Sequence, residues 1–500
     1  MRTFRYTCIT ATLLGMIMAA CSSPSANDAV LLPVKDDPTI SFSLWFKVGS
    51  QCDPEGKEGL AAMTAAMLTR GGTVGKSYED ILDALYPLYA EYGSSCDKEM
   101  TVISGRVHRD NLEVYYPLLT DALLHPGFRE EDFSRIKSES LNMLEKTLRY
   151  SSDEELGKAV FYNAVYDGTN YGHLNLGTVS SLNSITLDDI RAFYEKWYTR
   201  GNIVIGIAGG YDSELPARLR KDLEALPEGA PVLPEAPQPG DISGLRFTMV
   251  EKECNATAIS FGFPIDVLRG DDDFWALALF NSWFGEHRNS SSHLYQVIRE
   301  ARGMNYGDYS YIEIFPNGGR RSMPAPNNAR RQQLFEVWLR PVQHEYRHFA
   351  LRAAVRELQM VIENGMTQEQ FELTQQFLNK YALHYATTTS ERLGYAIDAA
   401  FYGLDGDYTE LFRSKIEALT LQQVNDAIHR HLQHENMQVG IVTMDAQSFA
   451  DDLLRDAPSP VTYSTPKPDE VLEEDKAIAA YPLKVEDGNI RIVPVDKIFN

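Results

Sequence analysis

The sequence predicts an α+β protein made of two copies of one domain. Three observations lead there. First, 500 residues with 44% hydrophobic and 23% charged side chains are ordinary globular material, and more chain than one core usually organises. Second, SITLDDIRAFYEKWYTRGNIVIGIAG, starting at Ser184, aligns without gaps with ALTLQQVNDAIHRHLQHENMQVGIVT, starting at Ala418, at an offset of 234. Thr186 falls on Thr420, Leu187 on Leu421, Asn202 on Asn436 and Gly206 on Gly440. Third, residues 226–244, LPEGAPVLPEAPQPGDISG, are rich in Pro and Gly and nearly aperiodic, the mark of a semi-rigid linker between the copies.

The elements follow in order. The N-terminus, MRTFRYTCITATLLGMIMAACSS, has Arg2 and Arg5, an apolar run and small residues before Cys21, the pattern of a secretory signal over residues 1–20. Ala19-Ala20-Cys21 resembles a bacterial lipobox, with Met18 where Leu is usual, so Cys21 is the expected lipidation site. Ser22 resembles outer-membrane sorting, and the expected location is the outer membrane, facing the periplasm. A plain cleaved signal with an incidental cysteine is the alternative. TISFSLWFKVG (39–49) reads as the first strand of copy one and TAISFGFPI (257–265) as that of copy two. Each precedes a helical segment, GKEGLAAMTAAMLTRGG and DDFWALALFNSWFGE. The two repeat segments each read as a Thr-capped amphipathic helix, a polar turn and a buried strand. Beyond Ala457 the tail is loose, ending in IRIVPVDKIF, a late strand packed back on the body.

Composition excludes some functions. A formal charge of −23 argues against nucleic-acid binding, which needs concentrated Lys and Arg. No apolar run in the body is long enough to span a membrane. Beyond Cys8 and Cys21 the chain keeps Cys52, Cys96 and Cys254, so at most one internal disulfide forms, with Cys52–Cys96 the expected pair.

HEYRH, residues 344–348, spells His-Glu-x-x-His, in which two histidines one helical turn apart grip zinc and the Glu acts as base. An autonomous zinc protease would use His344, Glu345 and His348. Pro341 lies three residues upstream, however, and Arg347 puts a charge inside the motif. The expected structure is the polar first turn of a surface helix.

A different stretch carries a resemblance. FSLWFKVGSQCDPEGKEGLAAMTAAMLTRGG resembles the opening of the insulinase/pitrilysin family of inverted-zincin metallopeptidases, where a strand precedes Gly-Leu-Ala-His-x-x-Glu-His-Met. Gly59, Leu60, Ala61, Met67 and Leu68 match that pattern. The two histidine positions hold Ala62 and Ala66, and the general-base position holds Ala65. The family's third ligand, a Glu about 77 residues further on, lands on Met143. A methyl group offers zinc no donor, and nearby Glu139, Asn142 and Glu145 would make at most a weak single-carboxylate site.

In the second copy, SSSHLYQVIREARGMNYGDYSYIEIF resembles the family segment whose Arg and Tyr, seven apart, reach the scissile carbonyl in the zinc-bearing half. Arg299 and Tyr306 match that spacing; Arg302, four from Tyr306, is the false partner. The resemblance implies two homologous domains, each a mainly antiparallel sheet with helices packed on one face, as in the mitochondrial processing peptidase. The expected divisions are 21–225, a linker at 226–245, 246–455 and an extension at 456–500. It also implies a non-catalytic, periplasmic subunit that supplies Arg299 and Tyr306 to a homologous HxxEH-bearing partner and helps enclose peptides. Zinc is then expected in the partner and no cofactor in this chain. The alternative is a peptide-binding or structural pseudoenzyme with no catalytic part.

Overall fold

The computed structural model describes residues 29–316 and 323–500. The expected signal segment and the expected lipidation site, Cys21, lie outside the described residues. Two mixed sheets organise the chain. The first joins β1 (Ala29–Pro33), β2 (Thr39–Phe46), β3 (Glu91–Cys96), β4 (Thr101–His108) and β5 (Ile203–Gly209) in the order β1-β5-β2-β4-β3. The second joins β6 (Leu245–Glu251), β7 (Thr257–Ile265), β8 (Asp308–Tyr311), β9 (Gln333–Val342), β10 (Met437–Thr443) and β11 (Ile490–Pro494) in the order β11-β6-β10-β7-β9-β8. Apart from β11 the two orders are the same. β1 runs parallel to β5 and β6 to β10, while the β2–β4, β2–β5, β7–β9 and β7–β10 pairs are antiparallel.

The repeat read from the sequence is a repeat of structure. Helix Leu187–Trp197 and β5 recur at the same offset as helix Leu421–His431 and β10. Thr186 Oγ1 accepts the Asp189 N–H at 3.2 Å, and Thr420 Oγ1 the Gln423 N–H at 3.3 Å, each closing a capping box. Each half opens one strand earlier than the sequence suggested, because β1 and β6 are short and sit beside Pro33 and the linker. Residues 227–243 of the linker carry no helix or strand.

The halves exchange helices. Helix Asp153–Val165 of the first half packs on β7 and β10, and helix Thr389–Phe401 of the second packs on β1, β2 and β5. Each sheet is therefore buried on both faces, which explains the unbroken apolar run TISFSLWF in β2. Phe42, Leu44 and Phe46 join the first half's own core, whereas Trp45 on the opposite face meets Phe401. A glycine permits each approach. A Cβ at Gly440 would lie 2.6 Å from the Gly157 carbonyl oxygen, and one at Gly206 3.1 Å from Ile397 Cδ1.

Buried ion pairs lock the exchange. Arg330 Nε and Nη2 donate to Asp97, both at 2.6 Å, and Arg331 pairs with Glu99. Lys158 Nζ donates to the Phe315 carbonyl at 2.8 Å, and Tyr162 OH to Glu336 at 2.7 Å. The C-terminal extension is bound as tightly: β11 pairs with β6, and Arg352, fully buried, donates to Ala457 O, Ala479 O and Asp456. Among the described residues no helix is long and apolar enough to cross a membrane.

One expectation is corrected. Cys52 and Cys96 are not joined; both are free, partly buried thiols, and burial pushes each up to about 12. The hairpin-like link between their segments is made instead by backbone: Ser50 N–H donates to Asp97 O and Gln51 N–H to Lys98 O.

Candidate functional site

Helix Leu60–Arg70 carries the alanine positions. Gly59 starts it with φ +98°, and a Cβ there would lie 2.6 Å from Leu176 O, so the position requires glycine. Asp53 caps the helix by accepting the Gly59 and Ala61 N–H groups, each at 2.7 Å; burial nevertheless pushes its carboxyl up to about 7. Ala62 and Ala66, one turn apart, stay partly exposed, while Ala65 is buried. The helix packs against β3 and helix Glu130–Asn142. Met143 follows that helix, opens a π-helical turn over Met143–Leu148 and is 48% exposed. Of the neighbouring acids, Glu139 is held by Arg70 and Arg135. These residues do not fit zinc: three methyl groups and a thioether stand where nitrogen and carboxylate donors are needed. Among the described residues no group of three or more His, Cys, Asp or Glu is placed to hold a metal ion.

HEYRH is a helix start, but not a surface one. His344–Tyr346 form a 3-10 turn and helix Arg347–Asn364 begins after it. His344 Nε2 donates to Cys254 O at 2.9 Å and Nδ1 accepts from Thr257 Oγ1 at 2.8 Å, so both ring nitrogens are in use. Arg347 is buried and donates to Thr443 Oγ1 and Met444 O, each at 2.8 Å. His348 is buried too, and desolvation, with the Arg352 charge nearby, lowers its ring to about 4. The expected surface helix is thus a core helix, because its long apolar face continues around Phe349, Ala350, Leu351, Ala353 and Ala354.

Arg299 and Tyr306 bracket a tight turn. Arg299 sits in a π-helical turn, Tyr295–Glu300, that ends where Gly303, φ +71°, donates its N–H to Arg299 O at 2.8 Å. Tyr306 is not yet in β8; it stands on the turn before it and is 77% exposed. Arg299 is partly exposed and makes no ion pair or side-chain hydrogen bond among the described residues. Arg302, by contrast, is buried and spent on Asp475, Glu474 and Val297 O.

Sequence reasoning passed over two residues here. Asn305 Oδ1 accepts the Gly307 N–H at 3.2 Å, and its Nδ2 donates to Asp308 at 2.6 Å and Arg340 O at 3.0 Å. It clamps the chain on both sides of Tyr306. Asp308 is fully buried, and desolvation holds its carboxyl well above the usual range, with the Arg299 charge opposing. The Asn-Tyr-Gly-Asp turn chemistry was the available signal. Among the described residues neither Arg299 nor Tyr306 is hydrogen-bonded to the alanine-bearing helix, which belongs to the other half.

Comparison with known proteins places these features. Residues 29–172 match the family description "Insulinase (Peptidase family M16)", and residues 184–378 match "Peptidase M16 inactive domain". An uncharacterized zinc protease of Streptomyces coelicolor is 27% identical over 66% of this chain and 69% of its own. A Helicobacter pylori protein named non-peptidase homolog YmxG is 22% identical over 89% of this chain and 99% of its own. A Pseudomonas fluorescens peptidase M16 inactive domain superposes with a TM-score of 0.73 at 25% identity, over 84% of this chain and 97% of that one. A chain of Candida albicans complex III shares the fold at 14% identity, with a TM-score of 0.63 over 82% of this chain and 92% of that one. With two matched family regions and the duplicated sheet order, this chain belongs to the M16 insulinase/pitrilysin family.

Proposed function

We propose that this chain is a non-catalytic subunit of a heteromeric zinc peptidase. One observation carries the reading: Ala62, Ala65 and Ala66 stand at the donor and base positions of the helix that the family uses for zinc. The partner is a homologous chain with an intact HxxEH. Arg299 and Tyr306 reach a peptide held between the two chains and donate hydrogen bonds to its scissile carbonyl oxygen. A guanidinium and a phenol aimed there stabilise the negative charge that develops on that oxygen. The exposure of Tyr306 and the unspent guanidinium of Arg299 support this role. Cys21 anchors the chain by a lipid, on the periplasmic side of the outer membrane.

The test is reconstitution. Peptide cleavage should need both chains, and should fall about 100-fold or more with Arg299→Ala or Tyr306→Phe. Cleavage by the partner alone, unaffected by those changes, supports the second reading, a peptide-binding or structural pseudoenzyme. The Helicobacter relative, named a non-peptidase homolog, favours that alternative.

A further inference from the structure

A groove of about 640 Å³ runs along the seam between the halves, away from every residue assigned so far. Its floor is a polar row across three strands. Gln438 of β10 pairs with Arg246 of β6, and Arg491 of β11 pairs with Thr248 of β6. Residues two apart on a strand share a face, so all four side chains lie on one side of the sheet. Arg246 and Arg491 are both exposed, on strands ~4.8 Å apart, and neither makes an ion pair or side-chain hydrogen bond among the described residues. In a chain of net charge −23, where most arginines meet a carboxylate, two unspent arginines on neighbouring strands of one sheet face are out of pattern.

The duplication provides an internal control. At the 234 offset Gln438 corresponds to Val204, and by strand pairing Thr248 corresponds to Val30. In the first half these valines are packed beneath Phe401 and Tyr402, at the end of the exchanged helix. In the second half the exchanged helix has the same 13 residues, but the row is polar and lines the groove. Two of the four floor positions, Gln438 and Thr248, are therefore polar where the same fold elsewhere uses valine as filler.

We propose that this groove binds a short peptide by its C-terminal carboxylate, with Arg246 and Arg491 as the anchoring pair. Two planar guanidiniums match the two oxygens of a carboxylate. Asn163, Thr178, Ser180 and Asn489 line the walls and suit peptide amides. Asp167 and Glu58 also line the groove and disfavour a dianion such as phosphate. The volume lies within the usual range for small-ligand sites, about 300–1,000 Å³. The proposal does not depend on Arg299, Tyr306 or a zinc-bearing partner.

Calorimetry on the full chain tests it, with N-acetyl-tetraalanine as free acid and as C-terminal amide. The acid should bind, the amide at least tenfold more weakly, and the Arg246→Gln/Arg491→Gln double variant should bind the acid at least tenfold more weakly. Both residues are exposed, so the double variant should keep its circular dichroism and melting temperature. Arg220→Gln, another exposed arginine, should bind the acid normally. Equal binding of acid and amide, unchanged binding by the double variant, no binding up to about 10 mM, or tighter binding of inorganic phosphate would each overturn the proposal.

Discussion

The two halves share a strand order and a capped helix–strand unit, yet the helix after the first antiparallel strand differs sharply between them. In the first half, helix Leu60–Arg70 leaves Ala62 and Ala66 partly open to solvent. In the second, helix Asp272–Gly285 is buried on nearly every side by Phe274, Trp275, Leu277, Leu279, Phe280 and Phe284. The duplication therefore preserved what closes a sheet, while among the described residues no group of three or more His, Cys, Asp or Glu is placed to hold a metal ion.

The largest expected effect comes from breaking what joins the halves. Removing one partner of a buried ion pair strands the other, typically at 3–5 kcal/mol. Arg330→Ala should destabilise the chain by about that amount, because Asp97 is left buried and charged. Denaturant unfolding should still follow one transition, since each sheet needs the other half's helix. Two separate transitions in the native chain would break the picture of interlocked halves. Next in size is Arg299→Ala in the reconstituted peptidase, at about 2.7–4 kcal/mol of barrier. Arg302→Ala should do the reverse, lowering stability through Asp475 and Glu474 while leaving the turnover of folded protein unchanged.

The contrast between those arginines marks how far the sequence could be read. The repeat, its caps and the linker were all legible, because periodicity and motif spacing are local properties. Arg299 was separated from Arg302 by spacing alone, and the structure adds a contrast: Arg302 is consumed by Glu474 and Asp475 of the extension, 172 and 173 residues away in sequence. The helix exchange was not legible. Both exchanged helices are amphipathic in the ordinary way, and nothing local states which sheet they cover. HEYRH was correctly placed at a helix start but wrongly on the surface, since burial of Arg347 and His348 depends on partners such as Thr443 and Met444. The Cys52–Cys96 pair failed for a related reason: neighbouring segments do not guarantee facing side chains.

Proton linkage sharpens the comparison further. Burial raises the carboxyls of Glu286, Glu336 and Asp398 in the second half to about 7, and among the described residues of the first half that of Asp53. A raised folded-state value means the neutral acid is favoured on folding. Its stabilisation is full below the unfolded carboxylate range, near 4.5 for Glu, and is lost as pH rises through about 7. His348, lowered to about 4, acts in the opposite sense and withdraws stability as pH falls from 6.5. Thermal melts should therefore fall from pH 5.5 to pH 8, and Glu336→Gln should flatten that slope by about 1–3 kcal/mol. An unchanged slope would remove Glu336 from the account.

The smallest difference lies in the two caps. Thr186→Ala and Thr420→Ala should each lower stability by about 1 kcal/mol at neutral pH, because each hydroxyl satisfies one otherwise orphaned helix N–H. The boxes differ in charge. Asp189 accepts from the Thr186 N–H and hydroxyl and from Lys57 at 2.8 Å, whereas Gln423 fills the same place after Thr420 without a charge. Although burial opposes it, hydrogen bonds from Lys57 and Thr186 lower the Asp189 carboxyl below its ordinary value. A lowered carboxyl gives stability above its unfolded value and loses it as pH falls through the folded one. Acidification should accordingly shrink the effect of Thr186→Ala and leave that of Thr420→Ala unchanged. Equal shrinkage in paired melts at pH 7 and pH 3 would mean the charge in the first box contributes nothing. The duplicated cap would then be one device twice, rather than a shared geometry to which the first half added an ion pair.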